Sequence, residues 1–193
     1  MANGKNAFVS SKDFLSETGK QFLAGLLEHA RAACVFATPT INGYKRYRPF
    51  SLAPERVIWG RDSRGAMLRV LGGPGDPSTR IENRIGEPGA NPYLYFASQI
   101  HSGLDGLNRK LQPGEPERKP YDSKAQLLPR SLDEAIGHLK ASKVMREAMG
   151  TAFVDYYCRI KEAEVERFSL ASKDAGDDRE VSEWEHREYF DLL

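Results

Sequence analysis

STRIENRIG, residues 78–86, is the stretch from which the fold of this chain is read. Arg80, Glu82 and Arg84 occupy alternate positions, with Ile81, Asn83 and Ile85 between them. Successive side chains of a strand point to opposite faces, so the alternation predicts a strand with one charged face. Two guanidinium groups around one carboxylate make either a solvated, ion-paired surface or the floor of a site for anions and a metal ion. Charge patterning alone favours the surface, because exposed ion pairs are common and contribute little.

Working outward, GGPGDPS (72–78) is a turn, since so much Gly and Pro suits nothing else. Before it, RVIWG (56–60) and AMLRVL (66–71) are strand candidates, and TRIENRI (79–85) follows it. TINGYKRYRPFSLAP (40–54) reads as a loop with prolines and an Asn-Gly turn. Upstream, residues 16–37 predict one helix, capped at Ser16 and Glu17 and ended by Pro39. Phe22, Leu23, Leu26, Leu27 and Ala30 form its apolar stripe. Downstream, residues 90–111 predict a helix with Pro92 in its first turn. Residues 112–129 are a polar, Pro-rich connector. Ser131 caps the next helix, with Glu134 at the capping-box position. Residues 143–171 predict one long amphipathic helix, 172–180 a charged break, and 181–193 a short terminal helix whose Trp184 and Tyr189 dock on the body. The chain thus divides into a site-bearing part, 1–111, and a helical extension, 112–193.

Composition excludes several classes. The chain has 193 residues, a hydrophobic content of 40% and a charged content of 28%, as in a globular domain with its own core. A net charge of +1 lacks the basic excess of a nucleic-acid or membrane-surface binder. No apolar run is long enough to span a bilayer, and MANGKNAFVSSKDF lacks the apolar core of a signal peptide. Cys34 and Cys158 stand far apart, without metal-type spacing, and fit buried thiols in a reducing, cytoplasmic compartment. His29, His101, His138 and His186 pair with no other His or Cys at ligand spacing, so they read as surface or satisfied core histidines.

Arginine dominates the basic residues between 44 and 84: Arg46, Arg48, Arg56, Arg61, Arg64, Arg69, Arg80 and Arg84, beside Lys45. Its planar fork grips carboxylate and phosphate in a bidentate manner. Glu82, in their midst, is either their structural partner or an oxygen ligand for a metal.

INGYKRYRPFSLAP, WGRDSRGAMLRV and STRIENRIGEPGANPYLYFASQIHSGLDGL follow one another as in the glutamine synthetase family. That family shows N-S-Y-K-R ending in A-P, then N-R-S/G-x-x-x-R, then R-x-E-x-R followed by N-P-Y-L and a helix like A-G-L-D-G. The tail resembles the family's C-terminal helices and its W-E-x-x-x-Y ending, so the resemblance covers essentially the whole chain. It implies an α+β fold, the C-terminal part of a glutamine-synthetase-type catalytic domain with curved antiparallel strands and packed helices. It implies ligation of the glutamate side-chain carboxylate to ammonia or an amine, driven by ATP through an acyl phosphate, with Mg²⁺ or Mn²⁺, in a ring-shaped homo-oligomer. By position, Arg46 and Arg84 match arginines that hold the substrate glutamate. Arg64 and Arg69 match arginines near the ATP phosphates, with Arg64 at the transferred phosphoryl group as the catalytic one. Arg80 matches an arginine on the nucleotide side, and Glu82 a metal ligand. Charge gathering on phosphoryl oxygens calls for such fixed cations.

The departures carry their own expectations. Family members are more than twice as long, and their upstream half supplies most metal-binding glutamates and a metal-binding histidine. The isolated chain is therefore expected to lack turnover. Leu52 stands where the family has a glutamate that closes the site over ammonia. Ser63 replaces an Asn, and Pro77 a Lys. These changes point toward the branch that uses alkylamines or polyamines as acceptors. An inactive fragment with an assembly or regulatory role, or a domain that binds nucleotide or carboxylate on its arginine face, are the rivals from other classes.

Overall fold

A computed structural model describes residues 4–48, 51, 53–171 and 180–190. Among them, eight helices surround one small sheet, an α+β architecture. The expected first helix is two: α1 (Glu17–Glu28) and α2 (Ala30–Ala37). The break falls at His29, whose Nε2 lies 2.7 Å from the Asp105 carboxylate. The apolar spacing runs through this break, so the sequence does not mark it. Ser16 caps α1 by accepting from the Gly19 amide at 3.0 Å. α2 is buried from Ala32 to Ala37 and forms the centre of the core with Trp59, Leu68, Ile85, Leu132, Ile136 and Val154.

The predicted 40–54 loop contains a single helical turn, α3 (Ile41–Tyr44), capped by the Thr40 hydroxyl. Three short strands follow: β1 (Trp59–Arg61), β2 (Leu68–Leu71) and β3 (Arg80–Asn83), in the order β1-β2-β3. β2 and β3 pair antiparallel, as expected. β1 runs parallel to β2 instead, so the sheet is mixed. A short link suffices for this pair because three residues of strand need a return of only about 10 Å. Asp62 starts that return at φ 48, in the left-handed region that Asp tolerates.

α4 (Pro92–Asn108) begins with Pro92 inside an Asn91 cap and packs along α1. Their backbones touch: a Cβ built on Gly25 would lie 2.1 Å from the Ser102 carbonyl, and one on Gly106 would lie 2.2 Å from the Gln21 carbonyl. The glycines of HSGLDGL are therefore packing residues. α5 (Leu132–Ala141) starts at Ser131, whose hydroxyl accepts from the Glu134 amide. The predicted 143–171 helix is divided into α6 (Lys143–Met149) and α7 (Thr151–Ala171) at Gly150, whose φ of 91 suits glycine. α8 (Glu183–Tyr189) docks as anticipated, with the Trp184 ring edge-on to Phe168 and Tyr189. The charged break at 172–179 lies outside the described residues, as does Leu52.

Cys34 and Cys158 are buried free thiols. Burial pushes Cys34 up to about 12, which removes it as a nucleophile. No helix among the described residues is long and apolar enough to cross a membrane.

Candidate functional site

The β2/β3 pairing sets Arg69 directly opposite Glu82. Residues opposite on one face of an antiparallel pair have Cβ atoms about 5 Å apart, within reach of charged side chains. Arg69 Nη1 donates to Glu82 Oε2 at 3.1 Å, and Arg84 Nε lies 3.6 Å from Glu82 Oε1. The alternation of STRIENRI thus gathers two guanidinium groups on one carboxylate. On the other face Ile81 packs against the core and Ile85 is fully buried.

Arg69 is also held from behind. Its Nε donates to Asp62 Oδ1 at 3.0 Å, and its Nη2 contacts the same oxygen. Asp62 and Glu82 together keep the Arg69 guanidinium above its ordinary value. Asp62 was not among the expected site residues. Its signal was RDSR, an acid at a turn seven residues before Arg69. The bracing fixes the rotamer of a long side chain that would otherwise lose entropy on meeting an anion.

Arg46 joins the group through the backbone. Its Nη2 donates to the Ile85 carbonyl, which also accepts from Thr38 Oγ1 at 2.8 Å and Tyr47 Oη at 3.1 Å. The guanidinium lies over the Tyr47 ring, 5.1 Å from its centroid. Its Nε is buried and meets no acceptor among the described residues. A buried donor of this kind is satisfied in a native fold by a water or by a bound anion. Asp62, Arg69, Glu82 and Arg84 thus form one ion-paired set, and Arg46 reaches the backbone of the residue that follows Arg84.

Two expected residues stand apart from it. Arg64 is exposed on the 62–67 turn and makes no hydrogen bond or ion pair with other described residues. Arg80 is exposed at the far end of β3, opposite Leu71, and among the described residues its side chain donates to the Ser78 carbonyl at 3.2 Å. Other arginines of the run serve the fold. Arg61 stacks on Phe14, 4.1 Å from the ring centroid, and Arg56 bonds the Ala125 carbonyl at 2.6 Å. The histidines are satisfied or peripheral. His29 pairs with Asp105, and burial holds His138 below its ordinary value.

Glu82 has the chemistry of a hard oxygen ligand, and its side chain is 39% exposed. Among the described residues no three His, Cys, Asp or Glu side chains stand close enough to hold a metal ion. Glu82 therefore fits as one ligand of a divalent cation, with the remaining ligands drawn from phosphate oxygens, water or other segments.

A family model described as the glutamine synthetase catalytic domain matches residues 1–189. The gamma-glutamylanilide synthase of Acinetobacter sp is 45% identical over 98% of this chain and 39% of its own length. The glutamine synthetase of Thermococcus kodakarensis is 39% identical over 97% of this chain and 44% of its own length. A solved GmaS/ADP complex superposes with a TM-score of 0.78 at 28% identity, over 99% of this chain and 44% of that one. The chain thus spans less than half the length of the relatives it matches. The α+β fold, the ordered motifs from INGYKR to the terminal WE, and these matches give one assignment: the chain belongs to the glutamine synthetase family, within its catalytic domain.

Proposed function

We propose that the protein carrying this chain is a ligase that couples ATP cleavage to amide formation between the glutamate side-chain carboxylate and an amine. The observation that carries this reading is the ion-paired set Asp62, Arg69, Glu82 and Arg84, with Arg46 held on the Ile85 carbonyl next along the chain. It presents two fixed guanidinium groups around Glu82, one of them braced by Asp62, near a buried Arg46 donor that has no acceptor among the described residues. Arg46 and Arg84 would hold the glutamate carboxylates. Arg69, braced by Asp62, and the exposed Arg64 would meet phosphate oxygens, with Arg80 toward the nucleotide. The carboxylate oxygen attacks the terminal phosphorus of ATP and ADP leaves. The amine nitrogen then attacks the acyl carbon, loses a proton and expels phosphate. Both steps concentrate negative charge that preorganised cations stabilise. Mg²⁺ or Mn²⁺, with Glu82 as one ligand, would add to that neutralisation when bound.

The acceptor is proposed to be an amine with an apolar substituent. The relative named for an anilide product is 45% identical, against 39% for the glutamine synthetase named above. Leu52 stands where the family carries an acid. Enclosing an apolar group contributes roughly 1.5–3 kcal/mol, on the order of 10- to 100-fold in kcat/KM.

The test compares kcat/KM for ammonia, ethylamine, putrescine and aniline in the complete gene product, followed by phosphate release. An apolar amine is expected to lead. Ammonia leading by a wide margin would identify a glutamine synthetase instead. Glu82→Ala is expected to lower kcat by at least about 100-fold with the fold retained. Wild-type rates at saturating metal would reduce Glu82 to an ion-pair partner.

A further inference from the structure

The terminal helix is tied to α3 at three points. Glu185 is fully buried in its side chain and receives Lys45 Nζ at 2.6 Å. Its other oxygen accepts from Asn42 Nδ2 at 3.1 Å. Tyr189 Oη accepts from the Ile41 amide at 3.0 Å and donates to Glu164 at 2.5 Å. Lys45 Nζ reaches the Glu180 carbonyl as well, at 2.5 Å. The ends of the one-turn α3 are thus both gripped from α8, and Arg46 is the next residue.

The grip is built rather than incidental. Ser182 and Glu185 form a full capping box, so the carboxylate that holds Lys45 is itself fixed by the Ser182 amide and hydroxyl, each at 2.7 Å. Burial alone would push the Glu185 carboxyl up. Lys45, the Ser182 donors and Asn42 outweigh it and hold the carboxyl below its ordinary value. A buried carboxylate with all its neighbours arranged as donors keeps its charge and orients what it binds. α3 is a single turn, far below the length at which a helix is stable in isolation, so beyond its Thr40 cap it depends on contacts from outside.

We propose that Glu185 is a positioning residue: through Lys45 and Asn42 it locks α3, and α3 sets where the Arg46 guanidinium sits. The terminal helix, distant in sequence from β3, thereby becomes part of the substrate pocket's support. The consequence for glutamate rests on the ligase reading; the effect on Arg46 itself does not.

The experiment uses the complete gene product with Glu185→Gln, and Lys45→Met as a second variant that empties the other end of the pair. Phenylglyoxal modification of Arg46, followed by mass spectrometry, and amide exchange of 41–47 are measured beside exchange of α4. Both Arg46 modification and exchange of 41–47 are expected to rise by about tenfold, as for loss of one charge-assisted hydrogen bond, with α4 unchanged. KM for glutamate rises by a similar factor, while KM for ATP stays within about twofold. A purely structural role would lower Tm without separating the two KM values. Unchanged Arg46 modification and exchange in a folded variant overturns the proposal, whatever the activity. A wild-type protein with no glutamate-dependent turnover overturns the ligase reading, and the Arg46 measurements still decide the clamp.

Discussion

Glu87 is a carboxylate placed where a charge is expensive. Its Oε1 accepts from the Thr40 hydroxyl at 2.8 Å and the Thr40 amide at 3.3 Å. Its other oxygen is so close to Gly43 that a Cβ there would meet it at 2.0 Å. Burial raises its pKa above the ordinary 4.5, even though Thr40 and Arg46 oppose the shift. A carboxyl whose folded pKa is raised contributes stability that is present below the unfolded pKa. That stability is lost as pH rises through the folded value. Wild-type stability should therefore decline relative to Glu87→Gln as pH rises above the ordinary carboxyl value of 4.5. The glutamine keeps an acceptor for Thr40 and carries no charge. Thermal melts across that window check the sign, and a variant that falls with pH as steeply as wild type would remove Glu87 as the cause. At the same scale, Arg69 shows why a paired arginine is no evidence against a binding role. The acids that pair with it also hold it still.

Elements meet here by backbone contact. α1 and α4 cross where Gly25 and Gly106 lie against each other, and Gly103 faces the Phe22 ring, 2.1 Å from where a Cβ would stand. Backbone on both sides cannot yield as a flexible side chain would. Gly106→Ala is expected to cost about 2–3 kcal/mol through overpacking, a fall in Tm of roughly 5–10 °C. Gly137→Ala, with nothing near its Cβ inside α5, should be neutral or slightly stabilising. Equal melting of the two variants would refute the close approach. The elements also show what the sequence could reveal. Ser16, Pro92 and Ser131 announced helix starts because the start of a helix is a local event. The breaks at His29 and Gly150 went unread, since apolar spacing continues through the first and a lone Gly inside a helical pattern is often tolerated. The parallel pairing of β1 with β2 was hidden because three-residue strands carry no alternation long enough to specify direction. The β3 face was legible because period two sorts its charges unambiguously. Lys45–Glu185 was not, because nothing local links residues 140 apart.

At the scale of the molecule, what this chain would bring to the proposed ligation is mostly arginine. The described residues offer Arg69 and Arg84 about Glu82, Asp62 bracing Arg69, and Arg46, Arg64 and Arg80 farther off, but they contain no cluster able to hold a metal ion. Phosphoryl transfer between two anions needs both phosphate neutralisation and a fixed metal. The relatives that share its motifs are more than twice its length. α4 adds an independent sign. Tyr93, Phe96, Ile100 and Leu104 are 82%, 61%, 52% and 44% exposed, at spacings that put them on one side of the helix. An apolar stripe of that kind usually meets another surface. The 193-residue polypeptide expressed alone is therefore expected to associate, and to release no phosphate from ATP in response to glutamate and an amine, with Mg²⁺ or with Mn²⁺. Light scattering and a coupled phosphate assay read the two halves of this expectation. Phe96→Ser with Ile100→Ser should reduce association without creating activity, because the stripe and the arginine face are separate features. A monodisperse monomer with glutamate-dependent turnover would show that Glu82, Asp62 and this set of arginines suffice for the chemistry, and the metal role assigned to other segments would fall.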